Sequence, residues 1–426
     1  MSPYIYGIDF GTSNSALAIL DTRNNEVVKL FSIPSLLFFP EEQNPRAPLK
    51  YYVGNEAITQ YVAGRMQGRF MKSIKKVLPN KSFIDTKISN KKCKAEDLVS
   101  LILKFLKKQA DDYLNADIKT AVIGRPVVFD EKPEKDALAQ ERLSAAARIA
   151  GFDTFYFQME PIGAAFTYER QIEQEELVLV ADFGGGTSDF SLMRLHPKAI
   201  QQRDRKQDML AKGGIYIGGD NFDSEMMWHR GTPHFGRGVK EEFEKGKWLD
   251  LPLTYYHNIC SWEKMNFLDS YKWKENIKKS YFFSGKDYRV HNLLTLIENN
   301  LGYLLFKQIE KCKIGLTEAD RADFVFEENG IQIKETISIE DFECEIIHKD
   351  LQKIEAYLLQ FLAQQQLQIT DIDTIFMTGG TSYVRPLRNI FTRLFGADKI
   401  RSGDNFNSVA YGIAYSYRIL AGEGGE

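Results

Sequence analysis

The segment Asp9-Phe10-Gly11-Thr12-Ser13-Asn14-Ser15 offers a carboxylate, then a glycine, then hydroxyls, and Asp182-Phe183-Gly184-Gly185-Gly186-Thr187-Ser188-Asp189 offers the same set far downstream. A glycine turn lets backbone N–H groups and hydroxyls close around an anion, while a carboxylate at a strand end can hold a metal bound to that anion. Alone, the first turn reads as an ordinary hairpin. Three successive glycines, however, cost backbone entropy and contribute no packing, so the second turn favours close approach of phosphate. Facing each other, the two would grip a nucleotide polyphosphate from both sides. Neither matches GxxxxGK[ST] and neither opens a helix, which disfavours P-loop and dinucleotide-binding folds.

The turns need rigid flanks. Apolar runs precede them (Tyr4 to Ile8, Leu177 to Ala181) and follow them (Ala16 to Leu20, Phe190 to Leu195), so the repeated unit is strand, glycine turn, strand. Leu98, Leu101, Ile102, Phe105 and Leu106 recur at helical spacing and predict a helix from Glu96 to Leu114. A buried strand, Thr120 to Val128 and ending near Pro126, follows, then an Ala-rich helix from Lys135 to Ala150 stopped by Gly151. Phe155 to Met159 reads as a strand with Glu160 and Pro161 at its exit, and Gly163-Ala164-Ala165 opens a small-residue helix. After Asp182 the pattern restarts, which is a duplication of topology and predicts two similar α/β lobes with both turns on the floor of a cleft.

Further along, the polar stretch Lys198 to Lys212 suits a surface loop, and Phe222 to Leu316 reads as a mostly helical subdomain. Its Tyr255, Tyr256, Trp262, Phe267, Tyr271 and Trp273 are expected in that subdomain's core. The strand Thr374 to Thr378 runs into Gly379-Gly380-Thr381-Ser382, which by itself reads as a strand exit and helix cap, and Gly218-Gly219-Asp220 reads equally as a turn. A last helix runs from Asn407 to Leu420, with a frayed tail beyond.

Composition bounds the function. The 426 residues exceed one ordinary core, and 43% hydrophobic with 27% charged residues is a soluble globular balance. A net charge of −3 gives no case for nucleic acid or an anionic membrane, and no apolar run is long enough to span a bilayer. Cys93, Cys260, Cys312 and Cys344 form no CxxC and read as reduced thiols of a cytoplasmic protein. The six histidines show no ligand spacing.

The order IDFGTSNS (8–15), MEPIGAAF (159–166), VADFGGGTSDF (180–190), IGGDNFD (217–223), FMTGGTS (376–382) and NSVAYGIA (407–414) resembles the ATPase domain of the Hsp70 chaperones, with Ile33-Pro34-Ser35 and Val53-Gly54-Asn55-Glu56-Ala57 agreeing. The likeness is nearest to a short, stand-alone, YegD-like bacterial branch, in which Gly124-Arg125-Pro126 replaces the usual Thr-x-Pro. It implies an α/β fold, the duplicated ribonuclease H-like, actin-type architecture, with two lobes around a nucleotide cleft. Lobe I would be 1–178 plus a returning helix 405–421, and lobe II 179–404 with the helical subdomain at 222–320.

The resemblance assigns roles position by position. Asp9 and Asp182 would hold Mg²⁺ through water, with K⁺ a further candidate ion, while Gly11, Thr12, Ser13, Asn14 and Gly184, Gly185, Gly186 and Thr187 would wrap the phosphates. Lys75, beside Lys72 and Lys76, would steady the γ-phosphate and the attacking water. Glu160 and Asp189 would complete an acidic ring, which repels itself unless a cation sits within it. Asp182 or Glu160 would orient the water. Glu310 and Lys313 would meet the ribose and Thr317 the adenine edge, with Gly218, Gly219, Gly379, Gly380 and Thr381 lining the nucleotide. Ile314 and Tyr383 stand where adenine-stacking arginines are usual, which makes the Tyr383 ring the candidate stack. Asn14 replaces a tyrosine, and Phe406 an aspartate.

The implied function is a slow ATPase that binds Mg-ATP between lobes, releases ADP and phosphate, and ends before the family's peptide-binding part. A protein client or co-chaperone is the candidate partner. Alternatives are an actin-like filament former, a small-molecule kinase, and a nucleotide sensor with little turnover.

Overall fold

The computed structural model describes residues 2–44, 46–130, 132–169, 171–197, 208–265, 268, 270–402 and 408–422. It forms two compact units: 1–216 with 357–382 and 391–426, and 217–356 with 383–390.

The first unit is built on two five-stranded sheets. One contains β1 (Tyr4–Phe10), β2 (Asn14–Asp21), β3 (Glu26–Pro34), β4 (Thr120–Arg125) and β5 (Thr154–Met159). The other contains β6 (Glu176–Phe183), β7 (Ser188–Leu195), β8 (Met209–Ile215), β9 (Thr374–Thr378) and β10 (Ile400–Ser402). Their orders are β3-β2-β1-β4-β5 and β8-β7-β6-β9-β10. In each, three antiparallel strands are extended by two parallel ones on the far side of the first strand. The same topology written twice is the duplication anticipated from the repeated turns, and it is the α/β arrangement of the actin-type fold.

Both central strands are apolar on two faces because helices cover them. Tyr6, Ile8 and Phe10 point into a core that includes α1 (Ala95–Leu114) and α2 (Pro133–Ala150), whereas Ile5 meets Ala410 and Ala414 of α5 (Ser408–Tyr415). Helix α2 stops at Gly151 with φ 97°, the left-handed conformation that glycine adopts without strain. Helix α3 (Glu160–Glu169) begins directly at the end of β5, so Glu160 is its first residue. A Cβ on Gly412 would overlap the Gly163 backbone, so α3 and α5 pack backbone to backbone.

Several expectations are corrected. Strand β4 ends at Arg125, before Pro126, whose missing N–H cannot extend the ladder. The stretch 209–212 belongs to β8 rather than to a loop; 198–207 lie outside the described residues. The closing helix breaks at Ser416, where the hydroxyl bonds back to Ile413 O at 2.7 Å, and Tyr417–Gly422 resumes beyond. Phe406, Asn407 and the tail from 423 lie outside the described residues.

The second unit is mostly helical. It also holds a hairpin, Lys240–Glu244 with Lys247–Asp250, turned at Gly246 with φ 78°. Tyr255 and Tyr256 are buried, but Tyr271 is 81% exposed at the start of its helix and is no part of the core. Phe267 is not among the described residues. In this unit, α4 (Gly302–Glu318) carries the positions assigned to the nucleoside.

Candidate functional site

Asp9 is the penultimate residue of β1 and Asp182 that of β6, so the duplicated topology puts one carboxylate at the same end of each central strand. Glu160 reaches the same region from the first turn of α3, and Lys75 from a single 3-10 turn, Ile74–Val77. Lys75 Nζ donates to Glu160 Oε1 at 2.7 Å, and both side chains are largely buried. Asp182 and Asp189 are direct cross-strand partners in the β6–β7 hairpin. Like charges so placed are destabilising without compensation.

The electrostatics agree with a charge-crowded site. Asp9 is pushed up to about 7, first by burial and then by Glu160, with Lys75 pulling the other way. Asp182 is raised well above the usual carboxylate range by burial, Glu160, Asp189 and Asp9. Asp189 rises to about 6 through burial, opposed by a 2.8 Å hydrogen bond from Thr187 Oγ1. Burial alone would lower Lys75, yet Glu160 and Asp9 hold its ammonium charged and raise it. These carboxylates are deeply enclosed by protein atoms but each keeps some surface open to solvent. Four acids crowd one region, with the Lys75 ammonium among them and Lys76 beside the second turn, and such a ring favours a further cation.

Among the described residues, no three carboxylate, imidazole or thiol side chains are placed to ligate a metal directly. Nor do the Asp9 and Asp182 carboxylates accept a protein hydrogen bond among those residues. That donor set suits a hydrated cation held through its water shell rather than a bare ion.

The turns themselves are braced from outside. In the first, Ser35 Oγ donates to Gly11 O at 2.8 Å and shares a 2.7 Å hydrogen bond with Ser15 Oγ, while Ser35 N donates to Ser13 O at 2.8 Å. A Cβ on Gly11 would strike Asn14 O, so this tight turn excludes every other residue. The Thr12 and Ser13 hydroxyls make no hydrogen bond among the described residues, which leaves them open to a ligand. In the second turn Gly184 N donates to Thr187 O at 3.0 Å, and Thr381 Oγ1 donates to Gly184 O at 2.9 Å. A Cβ on Gly186 would come within 2.8 Å of Lys76 Cε, but one on Gly184 would meet only Thr187, its O at 3.6 Å and its Oγ1 at 3.8 Å, both ordinary contacts. Neither fold packing nor a left-handed φ demands glycine at 184, so it forms a cradle that a side chain would fill. Such an opening beside backbone N–H groups is the kind of place an anion can approach closely. Gly379 (φ 80°) is a different case: a Cβ there would collide with Phe183 O and lie 2.7 Å from Asp182 Oδ1. Its absence lets β9 close on the second turn.

The structure therefore brings Asp9, Lys75, Glu160, Asp182, Thr187 and Asp189 together, with Gly11 to Asn14, Gly184 to Gly186 and Gly379 to Thr381 beside them in the first unit. The sequence reading passed over the bracing by Ser35 and gave Thr381 only a ligand role, because each hydroxyl bonds to backbone far away in the chain.

A family profile described as "Hsp70 protein" matches residues 5–237 and 293–425. The chain belongs to the Hsp70 family. It is similar to the chaperone protein DnaK of Thermosipho melanesiensis, 27% identical over 99% of this chain and 60% of that relative. DnaK of Thermosipho africanus is 26% identical with the same coverage, and DnaK of Mycoplasmopsis agalactiae 24% identical over 98% of this chain and 59% of its own length. The chain thus spans about 60% of the length of the curated relatives it matches. The Hsp70 match leaves out 238–292, the aromatic segment that contains the hairpin.

The remaining Hsp70-type positions lie in the second unit. Lys313 Nζ pairs with Asp223 Oδ2 at 2.8 Å and donates to Gly219 O at 3.3 Å, which ties α4 to the helix Gly219–Met226 capped by Gly218. Thr317 Oγ1 donates to Ile314 O at 2.7 Å within α4, while Glu310 is half-buried. Ile314 and Tyr383 are both substantially exposed. No helix among the described residues is long and apolar enough to cross a membrane.

Proposed function

We propose that this chain binds Mg-ATP and hydrolyses it slowly to ADP and phosphate, with lobes 1–178 plus 405–421 and 179–404 on either side of the nucleotide. The observation that carries this reading is the acidic cluster with Lys75 inside it, set at the mouths of two braced glycine turns. Lys75, already charged and held by Glu160, would meet the γ-phosphate and the attacking water. Asp182 or Glu160 would orient that water, and Thr187 with Gly184 to Gly186 and Gly11 to Asn14 would receive the phosphates. Asp9, Asp182 and Asp189 would hold hydrated Mg²⁺, which when bound supplies the charge neutralisation that phosphoryl transfer requires. K⁺ is a second candidate at the same acidic region. Glu310, Lys313, Thr317 and Tyr383, with Gly218, Gly219, Gly379 and Gly380, would take the nucleoside.

The curated relatives are chaperones by name, which supports a chaperone-related role with a protein client or co-chaperone. The four unpaired cysteines suit a reducing, cytoplasmic setting. Family membership favours neither a filament former nor a sugar kinase, and the Lys75–Glu160 pair argues for turnover over passive sensing. Incubation with γ-labelled Mg-ATP tests the reading: the label should appear as inorganic phosphate. Label carried on a small-molecule acceptor, or retained wholly in ATP, would overturn it.

A further inference from the structure

Lys75 stands on very little secondary structure. Its 3-10 turn is entered through Ser73, a buried non-glycine residue at φ 60°, and is closed by Lys76 N to Ser73 O at 3.0 Å and Leu78 N to Lys75 O at 3.2 Å. A single 3-10 turn has poor hydrogen-bond geometry and does not by itself fix a long side chain. Ile74 and Leu78 are buried and pin the turn on its apolar side. The chain from Leu78 to Asp85 then runs without a helix or strand to Thr86–Ile88.

The carbonyls of that irregular segment converge on one guanidinium. Arg142 Nη1 donates to Val77 O at 3.1 Å, Leu78 O at 2.9 Å and Asn80 O at 3.0 Å, and its Nη2 donates to Phe83 O at 2.8 Å. Among the described residues Arg142 has no carboxylate partner, so its fork serves the backbone of this one segment. It projects from the middle of α2, a helix anchored in the core through Ala139, Leu143, Ala146 and Ala147. The two hydrogens of Nη1 are shared among three carbonyls and Nη2 takes the fourth, a clustering that the fixed fork of a planar guanidinium allows.

We propose that Arg142 is the positioning residue for Lys75: it locks the exit of the Ile74–Val77 turn to α2 so that the Lys75 ammonium stays at Glu160. It touches no reacting atom and acts through the backbone. This inference rests on the catalytic reading of Lys75 given above.

The test uses the full chain and four variants: Arg142→Ala, Arg142→Lys, Lys75→Ala and the double Lys75→Ala/Arg142→Ala. Arg142→Ala should lower kcat at least tenfold with KM within about threefold, and Arg142→Lys should recover part of the loss because an ammonium offers three donors instead of five. The double variant should turn over at the Lys75→Ala rate, since the arginine has nothing left to position. Hydrogen exchange without nucleotide should quicken at the Lys76 and Leu78 amides in Arg142→Ala, a readout independent of activity. If Arg142→Ala folds poorly, Arg142→Lys carries the same comparison. Wild-type kcat in Arg142→Ala, or a loss that adds to that of Lys75→Ala, would overturn the positioning role alone. Wild-type turnover in Lys75→Ala would instead overturn the reading of the site, and this inference with it.

Discussion

Lys75 Nζ lies 2.7 Å from Glu160 Oε1, and the pair joins an irregular turn to the first residue of a helix. Replacing Glu160 with Gln keeps a hydrogen-bond acceptor but removes the charge that anchors the ammonium. Turnover should fall about tenfold or more while nucleotide affinity stays near wild type. A loss of nucleotide affinity with kcat unchanged, measured by calorimetry and steady-state kinetics, would show that Glu160 serves binding rather than turnover.

Asp182 faces Asp189 across the hairpin, so charge at one opposes charge at the other. Asp182→Asn should raise the Tm of the metal-free protein and at the same time weaken Mg-ATP binding. Thermal unfolding with and without magnesium checks both signs. An intact magnesium dependence in the variant would remove Asp182 from the metal site.

Gly184 and Gly412 separate two reasons for glycine. Gly184→Ala meets only ordinary contact, so the fold should keep its Tm while nucleotide affinity falls at least tenfold. Gly412→Val forces α3 and α5 apart and should cost about 1–3 kcal/mol of stability. Denaturant unfolding and nucleotide titration on both variants would expose a reversed pattern.

Acidity gives a further check. Asp9 titrates at about 7 and Asp189 at about 6, both above the ordinary carboxylate value of about 4. A folded-state pKa above the unfolded one means that the folded protein holds the proton more tightly, so this stability is full below about pH 4 and is lost as pH rises through about 6 to 7. The nucleotide-free protein in chelator should therefore show a falling Tm over that window, and Asp9→Asn should flatten the fall. A variant profile parallel to wild type would contradict the assignment.

The sequence made the two turns legible because glycine, aspartate and hydroxyl lie next to one another in the chain. The strands flanking them were equally legible, since unbroken apolar runs mark strands covered on both faces. Spacing alone did not single out Lys75 from Lys72 and Lys76, and only the resemblance did, because the contact depends on Glu160, which a separate helix delivers. The hydroxyl braces from Ser35 and Thr381 and the fork of Arg142 were hidden for the same reason: each bonds to backbone far away in the chain, which leaves no local pattern. The exposed Tyr271 misled because an aromatic residue in a helical segment usually faces a core, and this one begins its helix on the open side.

On the proposed reading Lys75, inside the acidic cluster, drives hydrolysis of bound Mg-ATP. Single-turnover phosphate release from wild type and Lys75→Ala, each saturated with Mg-ATP, tests it most directly. Affinity should stay within about tenfold, while the release rate in the variant should be at least a hundredfold lower. Equal release rates from the two proteins would contradict it.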